Sequence, residues 1–111
     1  HPGNRTAPHR LGLIALRGRD FEEAYAELDL AFMADPGHRG IRKSLGYAAV
    51  WSGRLEEAAS LLQEIPEAAY EMGVYRSWWK GQARPDLASQ AARMEEILKG
   101  QEKFKQDEKE N

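Results

Sequence analysis

Apolar residues recur every three or four positions through most of the chain, which is the spacing that places them on one face of an α-helix. The first run covers residues 7–18 and the second covers residues 21–34. Asp20 stands before the second run and Glu23 follows three positions later, an arrangement typical of a helix N-cap. Asp35-Pro36-Gly37 ends the run, because proline cannot extend the helical hydrogen-bond ladder. The pattern predicts two helices joined by a short turn.

The pattern of this helix pair is repeated later in the chain. Leu11-Gly12 reappears as Leu45-Gly46, and Glu22-Glu23-Ala24 reappears as Glu56-Glu57-Ala58, both at the same offset of 34 in the numbering. The agreement includes glycine and alanine, whose roles depend on backbone geometry and close packing. We therefore predict a second pair with helices over residues 39–52 and 55–65.

A third pair departs from this period. Tyr47 and Trp51 are echoed by Tyr75 and Trp79, but the offset in the numbering is then 28. Arg84-Pro85-Asp86 opens a further apolar run. We interpret residues 67–100 as a degenerate pair with a shortened connection. A charged extension follows, and we expect residues 106–111 to be a disordered tail.

A repeat period of this length, with glycine and alanine at fixed places, resembles the tetratricopeptide repeat. The resemblance implies an all-α solenoid of about three antiparallel helix pairs, coiled as a right-handed superhelix. The repeat domain would cover residues 1–105, with units at about 5–38, 39–66 and 67–100. Gly12 and Gly46 match the small residues at which the paired helices of that family cross. Residues 1–4 match the break at 35–38, so we expect a fragment of a longer, bacterial repeat protein.

Composition narrows the classes of partner. The net charge is −2, which gives no bulk attraction to nucleic acid. The chain has no cysteine, and no apolar run approaches the roughly 20 residues that span a bilayer. Charge is uneven, because residues 1–54 carry 8 Lys/Arg and 6 Asp/Glu, whereas residues 55–111 carry 8 and 12. We predict a protein or peptide partner, no nucleic acid, no direct membrane insertion and a possible homo-oligomer.

The residue types that carry catalysis form no recognisable group. The three histidines are scattered, and none has a metal-ligand spacing to another. The paired glutamates at 22–23 and 56–57 lie in first helical turns, where they complement the helix dipole. We predict that the chain is not an enzyme and holds no cofactor and no metal.

The predicted function is a non-catalytic scaffold that binds a peptide or a partner domain. The alternative is a self-associating or spacer module appended to a larger bacterial protein, such as a membrane-bound polymerase or ligase of surface polysaccharide. In the family that the chain resembles, the first helix of each pair lines the concave face. The partner-binding residues implied there are Arg10, Leu13, Arg17, Lys43, Tyr47, Trp51, Tyr75 and Trp79.

The aromatic members of this set have two readings. Tyr47 and Trp51 either face a ligand, where large amphipathic side chains dominate binding, or belong to the core. Trp78 and Trp79 are about 100° apart around a helix, so both cannot point the same way. We expect at least one of them to pack internally.

Overall fold

The computed structural model describes residues 6–110, and this part of the chain is folded into helices without strands. The first helices of the three pairs are α1 (Thr6–Arg17), α3 (Arg39–Trp51) and α5 (Ala68–Gly81). The second helices are α2 (Phe21–Ala34), α4 (Leu55–Leu62) and α6 (Pro85–Glu110). Within each pair the two helices pack together, and α2 also packs against α3. The predicted all-α fold of paired helices is confirmed.

Helices α2 and α3 each begin with a side-chain cap. The backbone N–H of Glu23 donates to the Asp20 carboxylate at 3.4 Å, as the capping pattern predicts. At the start of α3, the backbone N–H of Ile41 donates to Nδ1 of His38 at 3.1 Å. The His38 cap was not predicted, because histidine is not among the preferred N-cap residues.

Each turn inside a pair contains one residue in the left-handed region of backbone conformation. Gly53 fills that place in the second pair, with a φ of 86°. Arg19 fills it in the first pair and Ala83 in the third, with φ values of 63° and 59°. These two residues adopt a backbone conformation that only glycine adopts without steric cost.

The predicted role of Gly12 and Gly46 at the helix crossings is confirmed. A Cβ atom placed on Gly12 would lie 2.8 Å from Leu28 Cδ2, and one on Gly46 would lie 2.7 Å from Leu62 Cγ. Both leucines are fully buried. The absence of a side chain therefore sets how closely the two helices approach.

The third pair is joined to the second in a different way. Helix α4 ends at Leu62, earlier than the predicted Ile65, and α6 packs against both α3 and α4. Gly73 lies at the crossing of α5 and α6, where a carboxylate takes the place that leucine has in the other pairs. This Glu95 carboxylate is buried and pairs with Arg76 at 3.3 Å and Lys99 at 2.8 Å.

The C-terminal segment is part of the last helix. Helix α6 continues through residues 106–110, the stretch for which the sequence led us to expect a disordered tail. The i,i+4 pair between Glu95 and Lys99 supports the helix at the point where it leaves α5. Beyond it, Gln101 and Lys105 lie along the connection that follows α4. Asn111 of the expected tail and residues 1–5 at the start of the predicted repeat domain lie outside the described residues.

Candidate partner-binding groove

An open cavity of about 900 Å³ lies between the first helices of the three pairs. Helix α1 contributes Leu16, and α3 contributes one wall. The opposite wall is formed by α5 and is largely apolar. The residues on these two walls are Lys43, Ser44 and Tyr47 on α3, and Tyr70, Glu71, Val74, Tyr75 and Trp78 on α5. We call this cavity the groove.

The floor of the groove is a cluster of aromatic rings. The ring centroid of Tyr75 lies 5.8 Å from that of Tyr47 and 5.2 Å from that of Trp51, both in edge-to-face arrangements. Such pairs are favourable beyond their buried area. Tyr47 and Trp51 are largely buried, so they support the floor and do not project from it.

The two adjacent tryptophans have different environments. Trp79 is 3% exposed, and its ring packs against Phe21 and Trp51 at 6.1 and 5.4 Å. Trp78 is 45% exposed and lines the groove beside Tyr75. The prediction that one of them packs internally is confirmed. Trp79, which the sequence analysis named as partner-facing, is thus buried, whereas the adjacent Trp78 points to the groove.

Arg19 joins the turn between α1 and α2 to the turn between α5 and α6. Its guanidinium lies 5.3 Å from the ring centroid of Trp78 and 5.2 Å from that of Trp79. The same guanidinium donates to the side-chain oxygen of Gln82 at 3.0 Å. We call this contact the clasp. It closes one end of the groove with a cation–π interaction.

The other end of the groove carries a network of charges. Lys43 Nζ lies 3.1 Å from a Glu67 carboxylate oxygen and 3.0 Å from one of Glu71. Arg39 pairs with Glu67 as well, and the Tyr47 hydroxyl donates to Glu71. Lys43 is therefore engaged within the protein, although the sequence suggested that it would meet a partner.

The pKa values reflect this network. A hydrogen bond from the Arg39 side chain, followed by those from the Glu67 backbone and from Lys43, lowers the pKa of Glu67 to about 2. Burial lowers the pKa of Lys43, but the hydrogen bonds to Glu71 and Glu67 outweigh it and the net direction is upward. Burial, followed by the hydrogen bond to Glu71, raises the pKa of Tyr47.

The predicted residues of α1 are placed less centrally. Arg17 is exposed and lines a smaller cavity of about 260 Å³, next to Arg19 and Trp78. Arg10 and Leu13 line neither this cavity nor the groove. The structure thus brings together Lys43, Tyr47 and Tyr75 in the groove, with Trp51 and Arg17 beside it.

Tyr70 and Val74 are groove residues that the sequence prediction missed. They are exposed and stand eight and four positions before Trp78, which places all three on one stripe of α5. That spacing is present in the sequence, but Tyr70 and Val74 are not part of the repeated tyrosine and tryptophan pattern on which the prediction rested.

Among residues 6–110, no group of three or more histidine, cysteine or acidic side chains is placed to hold a metal ion. No helix in the described part of the chain has the length and apolar character needed to cross a membrane.

The family model for the tetratricopeptide repeat matches residues 15–84, which is 70 of the 111 residues. The chain belongs to the tetratricopeptide repeat family. Repeats of this family generally mediate protein–protein interactions and are typically non-catalytic scaffolds. No curated protein and no solved structure gives a match to the chain.

Proposed function

We propose that the groove binds a peptide segment of a partner protein, and that an apolar side chain of this segment is seated on the α5 wall. The observation that carries this proposal is the exposed stripe of Tyr70, Val74 and Trp78 above a floor of buried aromatic rings. Aromatic anchors of this kind dominate the energy of protein interfaces.

The groove is organised before a ligand arrives. Its floor is fixed by the edge-to-face contacts of Tyr75, and Trp78 is held from the side by the clasp. A side chain that is already immobilised loses little conformational entropy on binding. This arrangement favours recognition by a preformed surface over folding around the ligand.

Charge indicates which end of the ligand is anionic. Lys43 is already paired with two carboxylates, so it offers little to a partner. Arg17 is exposed at the end of the groove near the clasp, and the described residues include no ion pair to it. We infer that the ligand places an apolar or aromatic side chain on the α5 wall and a carboxylate towards Arg17.

A random-peptide display library tests the proposal without knowledge of the natural partner. Peptides selected on the whole chain are then titrated by calorimetry against wild type, Trp78→Ala and Leu30→Ala. Leu30 is the matched control, since it is an exposed apolar residue on α2 away from the groove. Loss of a hot-spot side chain costs about 2 kcal/mol or more, so Trp78→Ala should raise Kd by roughly 30-fold.

Circular dichroism must show that both variants keep the wild-type helical content. The proposal is overturned when the selected peptides bind Trp78→Ala as tightly as wild type. It is also overturned when Leu30→Ala weakens binding by as much, because the peptides would then occupy another surface.

A further inference from the structure

The groove has the width of one helix. Its apolar stripe runs along α5 from Tyr70 to Trp78, eight positions apart, which is about 12 Å at the helical rise of about 1.5 Å per residue. A volume of about 900 Å³ over this length gives a mean cross-section of about 75 Å², that of a cylinder about 10 Å across. An α-helix with its side chains is about 10–12 Å across, whereas an extended strand fills only roughly 4.8 by 10 Å. A helical segment therefore fills the groove better than a single extended segment does.

The groove offers few partners to the backbone of an extended ligand. Its lining belongs to helices, whose backbone groups are bonded along their own axes, so this lining has no sheet edge to which a strand can add. Of the polar side chains there, Lys43 and Tyr47 are already engaged with Glu71.

An extended segment about 12 Å long has about four residues, and each carries a backbone N–H and C=O. Those that face the walls would find only side-chain hydroxyls and the indole N–H of Trp78 as partners. A buried polar group that stays unpaired is costly. A helix avoids this cost, because it bonds its own backbone groups internally.

The two walls of the groove differ in polarity. The stripe of Tyr70, Val74 and Trp78 on α5 is exposed, whereas the α3 wall presents Lys43 and Ser44. A helix with one apolar face and one polar face matches both walls at once. Members of the stripe are four positions apart, and residues four positions apart on a ligand helix have the same spacing of about 6 Å. Rows of this kind on two helices interdigitate.

We propose that the ligand of the groove is an amphipathic α-helix of a partner protein, with its apolar face on the α5 stripe and the aromatic floor. A helix of about nine residues spans the stripe. This inference rests on the proposed function, and adds to it the conformation of the ligand and the spacing of its apolar residues.

Peptides selected on the whole chain from the random display library test the inference. Those that bind Trp78→Ala more weakly than wild type are scanned with alanine and, separately, with proline. Alanine should weaken binding at positions three or four apart, whereas a strand would depend on every second position. Proline in the middle of the peptide should raise Kd by roughly 100-fold or more, because it breaks a helix interior. Proline at the first residue of the bound helix is the matched control and should change Kd by less than about twofold.

NMR of an isotope-labelled peptide in the complex reads the conformation directly. Its ¹³Cα shifts should indicate helix over about nine consecutive residues. Peptides that depend on Trp78 but tolerate central proline and show extended shifts overturn the helical ligand and leave the proposed function standing. A selection that gives no Trp78-dependent peptide overturns both proposals.

Discussion

Replacement of Gly46 by alanine tests the packing on which the helix pairs depend. The new Cβ would lie 2.7 Å from Leu62 Cγ, whereas favourable carbon–carbon contacts lie at about 3.5–4.0 Å. Leu62 must therefore move by about 1 Å, or the two helices must separate. Leu62 is buried in the main core cluster, so its neighbours resist that movement.

Two effects of opposite sign set the magnitude. Overpacking a core by a methyl group costs about 1–3 kcal/mol. Alanine is favoured over glycine in a helix by about 1 kcal/mol, which offsets part of this cost. We expect Gly46→Ala to lower the free energy of unfolding by about 1 kcal/mol, within a range of about 0–2 kcal/mol. At roughly 4–8 °C for each kcal/mol in a domain near this size, the melting temperature should fall clearly.

Urea denaturation followed by circular dichroism measures this change, and Gly100→Ala is its matched control. Gly100 lies within α6, and a Cβ there would meet nothing within 4 Å. The control should therefore gain stability by up to about 1 kcal/mol from helix propensity alone. In a double-mutant cycle, Leu62→Ala should cancel the overpacking part of the Gly46→Ala cost. The reasoning is refuted when Gly46→Ala and Gly100→Ala change stability in the same direction.

Three further predictions concern single sites. Ala83→Gly should raise the free energy of unfolding by about 0.5–1 kcal/mol, because a φ of 59° strains alanine; a melting temperature that does not rise contradicts this. Trp79→Ala should lower the free energy of unfolding by about 3–5 kcal/mol, and Trp78→Ala should lower it by about 1 kcal/mol or less. Equal losses in urea denaturation would contradict this, because they would place both side chains in the core. Burial, followed by the charge of His38, lowers the pKa of His9 below 6.5. As pH falls, the His9 imidazole of the unfolded chain is therefore protonated before that of the folded chain, so stability is lost from pH 6.5 down through the folded-state pKa. An NMR titration midpoint of 6.5 or higher for His9 in the folded protein contradicts this.

The sequence predicted the first two helix pairs well, because their determinants are local or strictly periodic. Gly12 and Gly46 repeat at the same offset that also relates their buried leucine partners. The Asp20 cap involves residues three positions apart. Such signals survive without knowledge of the tertiary structure, since helix geometry alone relates the positions.

The third pair was harder to predict because its period changes within the pair. The tyrosine and tryptophan pattern returns at an offset of 28, whereas an offset of 34 relates the first two pairs. A helix assigned on that pattern alone gives no rotation about its axis. For that reason the sequence prediction named Trp79 as partner-facing, whereas in the structure Trp79 is buried and Trp78 lines the groove. The clasp could not be predicted from local sequence patterns, because Arg19 and Gln82 are 63 positions apart and meet only after all three pairs have stacked.

The irregular third pair is what gives the groove its shape. Helix α4 has 8 residues, whereas α2 has 14. In the third pair α6 packs against α3 and α4, and α5 turns its aromatic stripe towards α3, so this pair is displaced from the position that the repeat would give it. The same displacement brings the last turn within reach of the first, where Arg19 contacts Trp78 and Trp79. The departure from the period therefore closes one end of the groove.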